Sequence, residues 1–133
     1  MTTGNLRINR QRLLDRIAEL AKIGAIEGGG VCRLALSDED KAGRDLVMSW
    51  MQELGLHTTV DQAGNVVGVR PDGKGRVDSP AVFTGSHIDT VGTGGRYDGA
   101  LGVLAGLEVM ACLNDADIET PCPVAVGFFS NEE

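Results

Sequence analysis

The chain has 133 residues, enough for one domain around one buried core. Its 42% hydrophobic and 23% charged residues are ordinary for a globular protein, and no apolar run is long enough for a membrane span. A net charge of −7 argues against nucleic acid and anionic membrane as partners and suits a protein that binds cations.

Cys32, Cys112 and Cys122 are odd in number and form no CxxC, so neither a disulfide framework nor a zinc knot is expected. Reduced thiols in a cytoplasmic protein are the reading that follows. The first residues are polar and rich in arginine, with no apolar stretch behind them, so a secretory signal is not expected. The 19 glycines, about twice the average share, cluster at 28–30 and 92–95 and predict tight loops there.

In chain order, Asn9 is placed to cap a first helix carrying Leu13, Leu14, Ile17, Leu20 and Ala21 at helical spacing. Gly28 to Gly30 are expected to end it. Ser37 with Asp38, Glu39 and Asp40 reads as the capped, acidic start of a second helix. That helix has one apolar face, Leu46, Val47, Trp50, Met51 and Leu54, and stops at Gly55. Thr58–Val60 and Asn65–Arg70 flank the turn residues Asp61–Gly64 as a hairpin. His57, at its start, reads as a surface residue of an edge strand.

After an exposed loop over 71–80, Ala81–Gly85 reads as a buried strand running into Ser86-His87-Ile88-Asp89. Asp98 opens a helix that is apolar nearly all round, as helices covered on most sides are. Pro123–Phe129 is a second buried strand, leading to Glu132 and Glu133. Strand, helix, strand predicts a parallel crossover and an α/β fold with a mostly parallel sheet.

Such a sheet gathers its ligands beyond the carboxyl ends of its strands. His87 and Asp89 follow one strand, Glu132 and Glu133 the other, and Asp98 stands at the helix start between them. Each alone is ordinary, since a strand-end histidine usually just makes a hydrogen bond and a Glu-Glu pair is usually solvated. Together they bring five ionisable groups to one edge. An imidazole with several carboxylates and no thiolate suits Zn, Mn or a similar divalent ion. A carboxylate can bridge two ions, and an unligated one can take a proton from a water they share. A nucleotide loop is not indicated, because Tyr97 stands where GxGxxG needs glycine and no GK[ST] is present.

Three stretches, Gly85-Ser-His-Ile-Asp-Thr-Val91, Gly94-Gly-Arg-Tyr-Asp-Gly-Ala-Leu-Gly-Val103 and Phe129-Ser-Asn-Glu-Glu133, resemble the start of the M20-type metallohydrolases. The likeness is greatest to the branch of N-carbamoyl-L-amino-acid hydrolases, allantoate amidohydrolases and ureidopropionases. Arg33-Leu-Ala-Leu-Ser-Asp-Glu-Asp40 and Ala63-Gly-Asn65 fit the same branch.

The resemblance implies a three-layer α/β metallohydrolase domain holding two divalent ions, Zn or Mn. His87 and Glu133 match metal ligands, and Asp98 matches the carboxylate that bridges the ions. Glu132 matches the general base, and Asp89 the acid that orients a ligating histidine. Asp98 follows His87 by 11 positions, and Gly99-Ala-Leu-Gly102 comes next. This favours carbamoyl or ureido substrates over peptides.

Family members are longer, with two more histidine ligands downstream and a second domain for dimerisation. Residues 1–133 are thus expected to be the N-terminal part of the catalytic domain of a homodimeric enzyme, inactive by itself, with its last strand, Val124–Phe129, left as an uncovered edge. The alternative is a non-catalytic α/β module with residual metal binding or an association role.

Overall fold

The Asn9 side chain accepts the amide of Arg12 and starts α1, Arg10–Lys22, in the computed structural model, which describes residues 3–133. Helix α1 ends well before the glycine run. Gly24, at φ +83°, turns the chain so closely against Cys32 that a Cβ would lie 2.3 Å from its carbonyl oxygen. Gly28–Gly30 instead shape the loop that returns through Val31, which bridges both Ala25 and Gly94.

Ser37 accepts the amide of Asp40, and the Asp40 carboxylate accepts the amide of Leu36. This reciprocal cap opens α2, Asp38–Glu53, and Gly55, at φ +77°, follows its end as expected. The hairpin forms as β1, His57–Val60, and β2, Val66–Arg70. Then come β3, Val82–His87, α3, Ala100–Asp115, and β4, Val124–Phe129. His57 is exposed, and all three cysteines are free thiols.

The strand order is β1-β2-β4-β3. β3 and β4 are parallel across the α3 crossover, pairing Val82 with Val124 through His87 with Phe129. The α/β fold and this crossover are as expected, but two of the three pairings are antiparallel. The hairpin turns β2 back along β4, Val66 against Phe128, so this part of the sheet is mixed. β4 is therefore central, and the uncovered edge expected at Val124–Phe129 lies instead at β3, whose Val82 and Phe83 are 61% and 48% exposed.

Thr84, Val126 and Gly68 lie side by side across the sheet and share a face. A Cβ on Gly106 of α3 would meet Val126 and Thr84, and one on Gly68 would meet Met51 of α2. Both helices thus cover that face, and α1 packs against both. One core results, with Ile17, Leu20, Val47, Met51, Val66, Leu104, Leu107, Val126 and Phe128 all buried. On the other face the Phe83 and Phe129 rings, 6.2 Å apart, lie over Gly85 and Gly127. Among the described residues no helix covers that face, so two of the three expected layers are present.

Candidate metal centre

His87 ends β3, and the backbone drops at once into the core through Ile88, which is 1% exposed. The turn brings the Asp89 carbonyl under the imidazole, 2.9 Å from Nδ1. A carbonyl only accepts, so Nδ1 donates to it and Nε2 is the nitrogen left to face the open side of the turn.

Nε2 faces carboxylates. Nε2 lies 3.4 Å from Glu132 Oε2, 3.8 Å from Glu133 Oε1 and 3.8 Å from Asp98 Oδ1. One ligand atom from each of His87, Glu132 and Glu133 falls within 4.8 Å of the others. Asp98 reaches the same nitrogen from the residues just ahead of α3. The parallel pairing of His87 with Phe129 explains the convergence, because it levels the ends of β3 and β4. Three carboxylate oxygens around one imidazole nitrogen favour a positive charge among them, as a bound metal cation supplies. One imidazole and three carboxylates are a donor set suited to Zn or Mn.

Asp89 is 2% exposed. Its Oδ2 accepts the amide of Glu133 at 3.1 Å, and its Oδ1 is buried with no hydrogen-bond partner, 3.7 Å from His87 Nδ1. The main-chain carbonyl of Asp89, rather than its carboxylate, makes the short contact to the ring. Glu132 comes at least as near to His87 as the two residues matched as ligands.

The sequence profile of peptidase family M28 matches residues 65–133, a little over half the chain and all five of these residues. The chain belongs to the M20/M28-type hydrolases. Within that family it is 45% identical over 129 residues to the N-carbamoyl-L-amino-acid amidohydrolase of Rhizobium meliloti, covering 97% of this chain and 30% of the relative. It is 42% identical over 106 residues to the allantoate amidohydrolase of Bacillus subtilis, covering 80% and 25%. The crystal structure of an amidase of the hydantoinase/carbamoylase family from Burkholderia multivorans superposes with a TM-score of 0.94 at 50% identity, over 98% of this chain and 31% of that one. The chain thus spans about 30% of the length of these relatives.

Three residues that support this cluster do not stand out by residue type. Arg33 is 1% exposed, and its guanidinium donates to the carbonyls of Ile88, Leu20 and Ile23. Its own amide donates to Thr90 Oγ1, so it braces the loop carrying Asp89. Burial pulls this guanidinium below its ordinary pKa, and Asp40 and Asp89 oppose the shift. Gly99, at φ +67°, lies against the imidazole, where a Cβ would fall 2.4 Å from Cε1. The Asn65 side chain accepts the amide of Ser130. Arg33, Gly99 and Asn65 all lie in stretches that carry the resemblance, which was the one signal that marked them out.

Proposed function

We propose that the protein carrying this segment is a di-metal amidohydrolase acting on linear, non-peptide C–N bonds of N-carbamoyl amino acids or related ureides. The approach of Asp98, Glu132 and Glu133 to Nε2 of His87 is the observation that carries the reading. In this reading residues 1–133 are the N-terminal part of the catalytic domain. A cytoplasmic setting and a homodimeric complete enzyme belong to it and rest on the resemblance.

His87, Asp98 and Glu133 would hold the ions. A pair of bound divalent ions, Zn or Mn, supplies polarisation of the carbonyl and acidification of water. The residues of the chain do the rest. Glu132 takes a proton from the attacking water as its oxygen bonds to the carbamoyl carbon, and returns it to the nitrogen that leaves as the C–N bond breaks. This first cleavage consumes one water and leaves ammonia and the N-carboxy amino acid, a carbamic acid whose remaining C–N bond then breaks with transfer of its acid proton to nitrogen, releasing carbon dioxide and the amino acid. Asp89 fixes the site from below: its carbonyl sets the tautomer of His87 and its carboxylate holds the amide of Glu133.

The test is release of ammonia from N-carbamoyl-L-amino acids by the protein with its complete catalytic domain. Turnover should fall by about 100-fold or more in Glu132→Gln, the loss expected for a general base. Turnover of dipeptides but not of carbamoyl substrates would overturn the assignment. The 133-residue chain alone, loaded with Mn, should match a metal-only blank, because its donor set has one imidazole and opens to solvent at Asp98 and Glu132, 64% and 54% exposed. Turnover that tracks its concentration would contradict this.

A further inference from the structure

The geometry points to Asn65 as the positioning residue that sets the Glu132–Glu133 turn, acting through the main chain of Ser130 from the β1–β2 hairpin. This rests on the metal-centre reading given above and adds a device to it.

The last four residues leave β4 in a turn with Asn131 at φ +56°. Glu132 and Glu133 point at His87 only if this turn keeps its shape, and two acceptors hold it. Asp89 Oδ2 takes the amide of Glu133 at 3.1 Å, and Asn65 Oδ1 takes the amide of Ser130 at 2.9 Å. The first belongs to the site, and the second comes from the far side of the sheet.

Asn65 is itself fixed. Its Nδ2 donates to Asp61 Oδ2 at 2.9 Å, and its amide donates to Asp61 Oδ1 at 2.9 Å. The amide of Ala63 reaches the same Oδ1, and the amide of Asp61 returns to the Asn65 carbonyl. These partners decide the orientation of the Asn65 amide, since its oxygen must meet an N–H and its nitrogen a carboxylate. The hairpin turn is then pinned to the protein. Arg44 of α2 donates to the Gly64 carbonyl and lies over the Phe128 ring, 5.3 Å from its centre. Gly64, at φ +88°, lets the turn approach Ser130, where a Cβ would already stand 3.4 Å from Oγ. The chain of contacts runs from α2 through the turn to the residues that carry the two glutamates.

The test uses the 133-residue chain and Mn alone, read by paramagnetic broadening of the amide resonances around His87, which detects even millimolar binding. Asn65→Ala should require about tenfold more Mn for half-maximal broadening, the lower end of what loss of a ligand-supporting contact costs. It should also speed hydrogen exchange at Ser130. The double variant Asp61→Asn/Asn65→Asp should restore both, because the exchanged carboxylate still accepts from Ser130 and the exchanged amide donates to it. Val60→Ala weakens the same hairpin without touching the turn and should leave Mn binding unchanged. Should Asn65→Ala not fold, Asn65→Ser, too short to reach Ser130, carries the same expectation. Broadening lost in His87→Ala but unaltered in Asn65→Ala overturns the inference alone, as does an equal loss in Val60→Ala. A wild-type chain with no broadening overturns the metal centre, and the inference falls with it.

Discussion

Gly99 sets the position of the His87 ring by being small. Its φ of +67° with ψ of −50° is a strained, rarely adopted turn conformation for residues with a Cβ, and its missing Cβ is the space the imidazole occupies. Gly99→Ala should therefore displace the ring from the three carboxylates as well as strain the entry to α3. Mn affinity and thermal stability should both fall, and calorimetry with a melting curve on the same sample reads both. Unchanged affinity with a lowered melting temperature would show that the ring tolerates the crowding. His87, Asp89, Asp98, Glu132 and Glu133 stand out in the sequence because their chemistry is written in their side chains. Gly99, Arg33 and Asn65 are harder to read. A glycine, a buried arginine satisfied by carbonyls and an amide holding a backbone N–H act through geometry that exists only after folding.

Helix α1 is tied to α3 by a buried ion pair. Glu108 has no solvent exposure and accepts Arg12 Nε at 2.8 Å, Arg12 Nη2 at 2.9 Å and the amide of Asn9 at 2.7 Å, while Arg12 also reaches Asp115. Burial alone would raise the Glu108 pKa, but the hydrogen bonds from Arg12 and Asn9 outweigh it and hold the carboxyl below its usual 4.5. A depressed carboxyl stabilises the fold above its unfolded pKa, and this contribution is lost as pH falls through the lower folded value. Thermal melts from pH 7 to pH 3 should show that loss below the ordinary glutamate range, and Arg12→Ala should flatten it. Arg12→Ala should also cost about 3 kcal/mol at neutral pH, because it leaves a buried charge unpaired. A wild-type acid profile in Arg12→Ala would disprove the coupling. Helical periodicity and caps gave α1 and α2, and the apolar run gave α3, because those signals are local; Asp98 lies just ahead of α3, whose first turn has no side-chain cap. The one buried acid on the apolar α3, Glu108, was invisible as a feature, since its partner is 96 residues away. The early end of α1 was missed for a similar reason: Gly24 is chosen by contact with Cys32, whereas the Gly28–Gly30 run is only more conspicuous.

At the scale of the whole molecule, strand order decides which surfaces are open. A central strand and an apolar edge strand read alike in sequence, which is why β4 looked like the margin and β3 is. The exposed Val82–Phe83 edge, with Phe83 and Phe129 on the bare face beside it, offers unpaired backbone and apolar surface to other chains. The 133-residue chain should accordingly sediment faster as its concentration rises, and Phe83→Lys should reduce the effect. A single monomeric species across the range would contradict this. The same topology makes the site, because the parallel pairing of β3 with β4 brings His87 level with the turn bearing Glu132 and Glu133 and α3 begins beside them. Calorimetric titration of the chain with Zn and Mn, compared with His87→Ala and Asp98→Asn, tests that claim most directly. The account predicts weak binding by the wild type, loss of it in His87→Ala and a reduced affinity in Asp98→Asn, whereas affinity unchanged by both substitutions would contradict it.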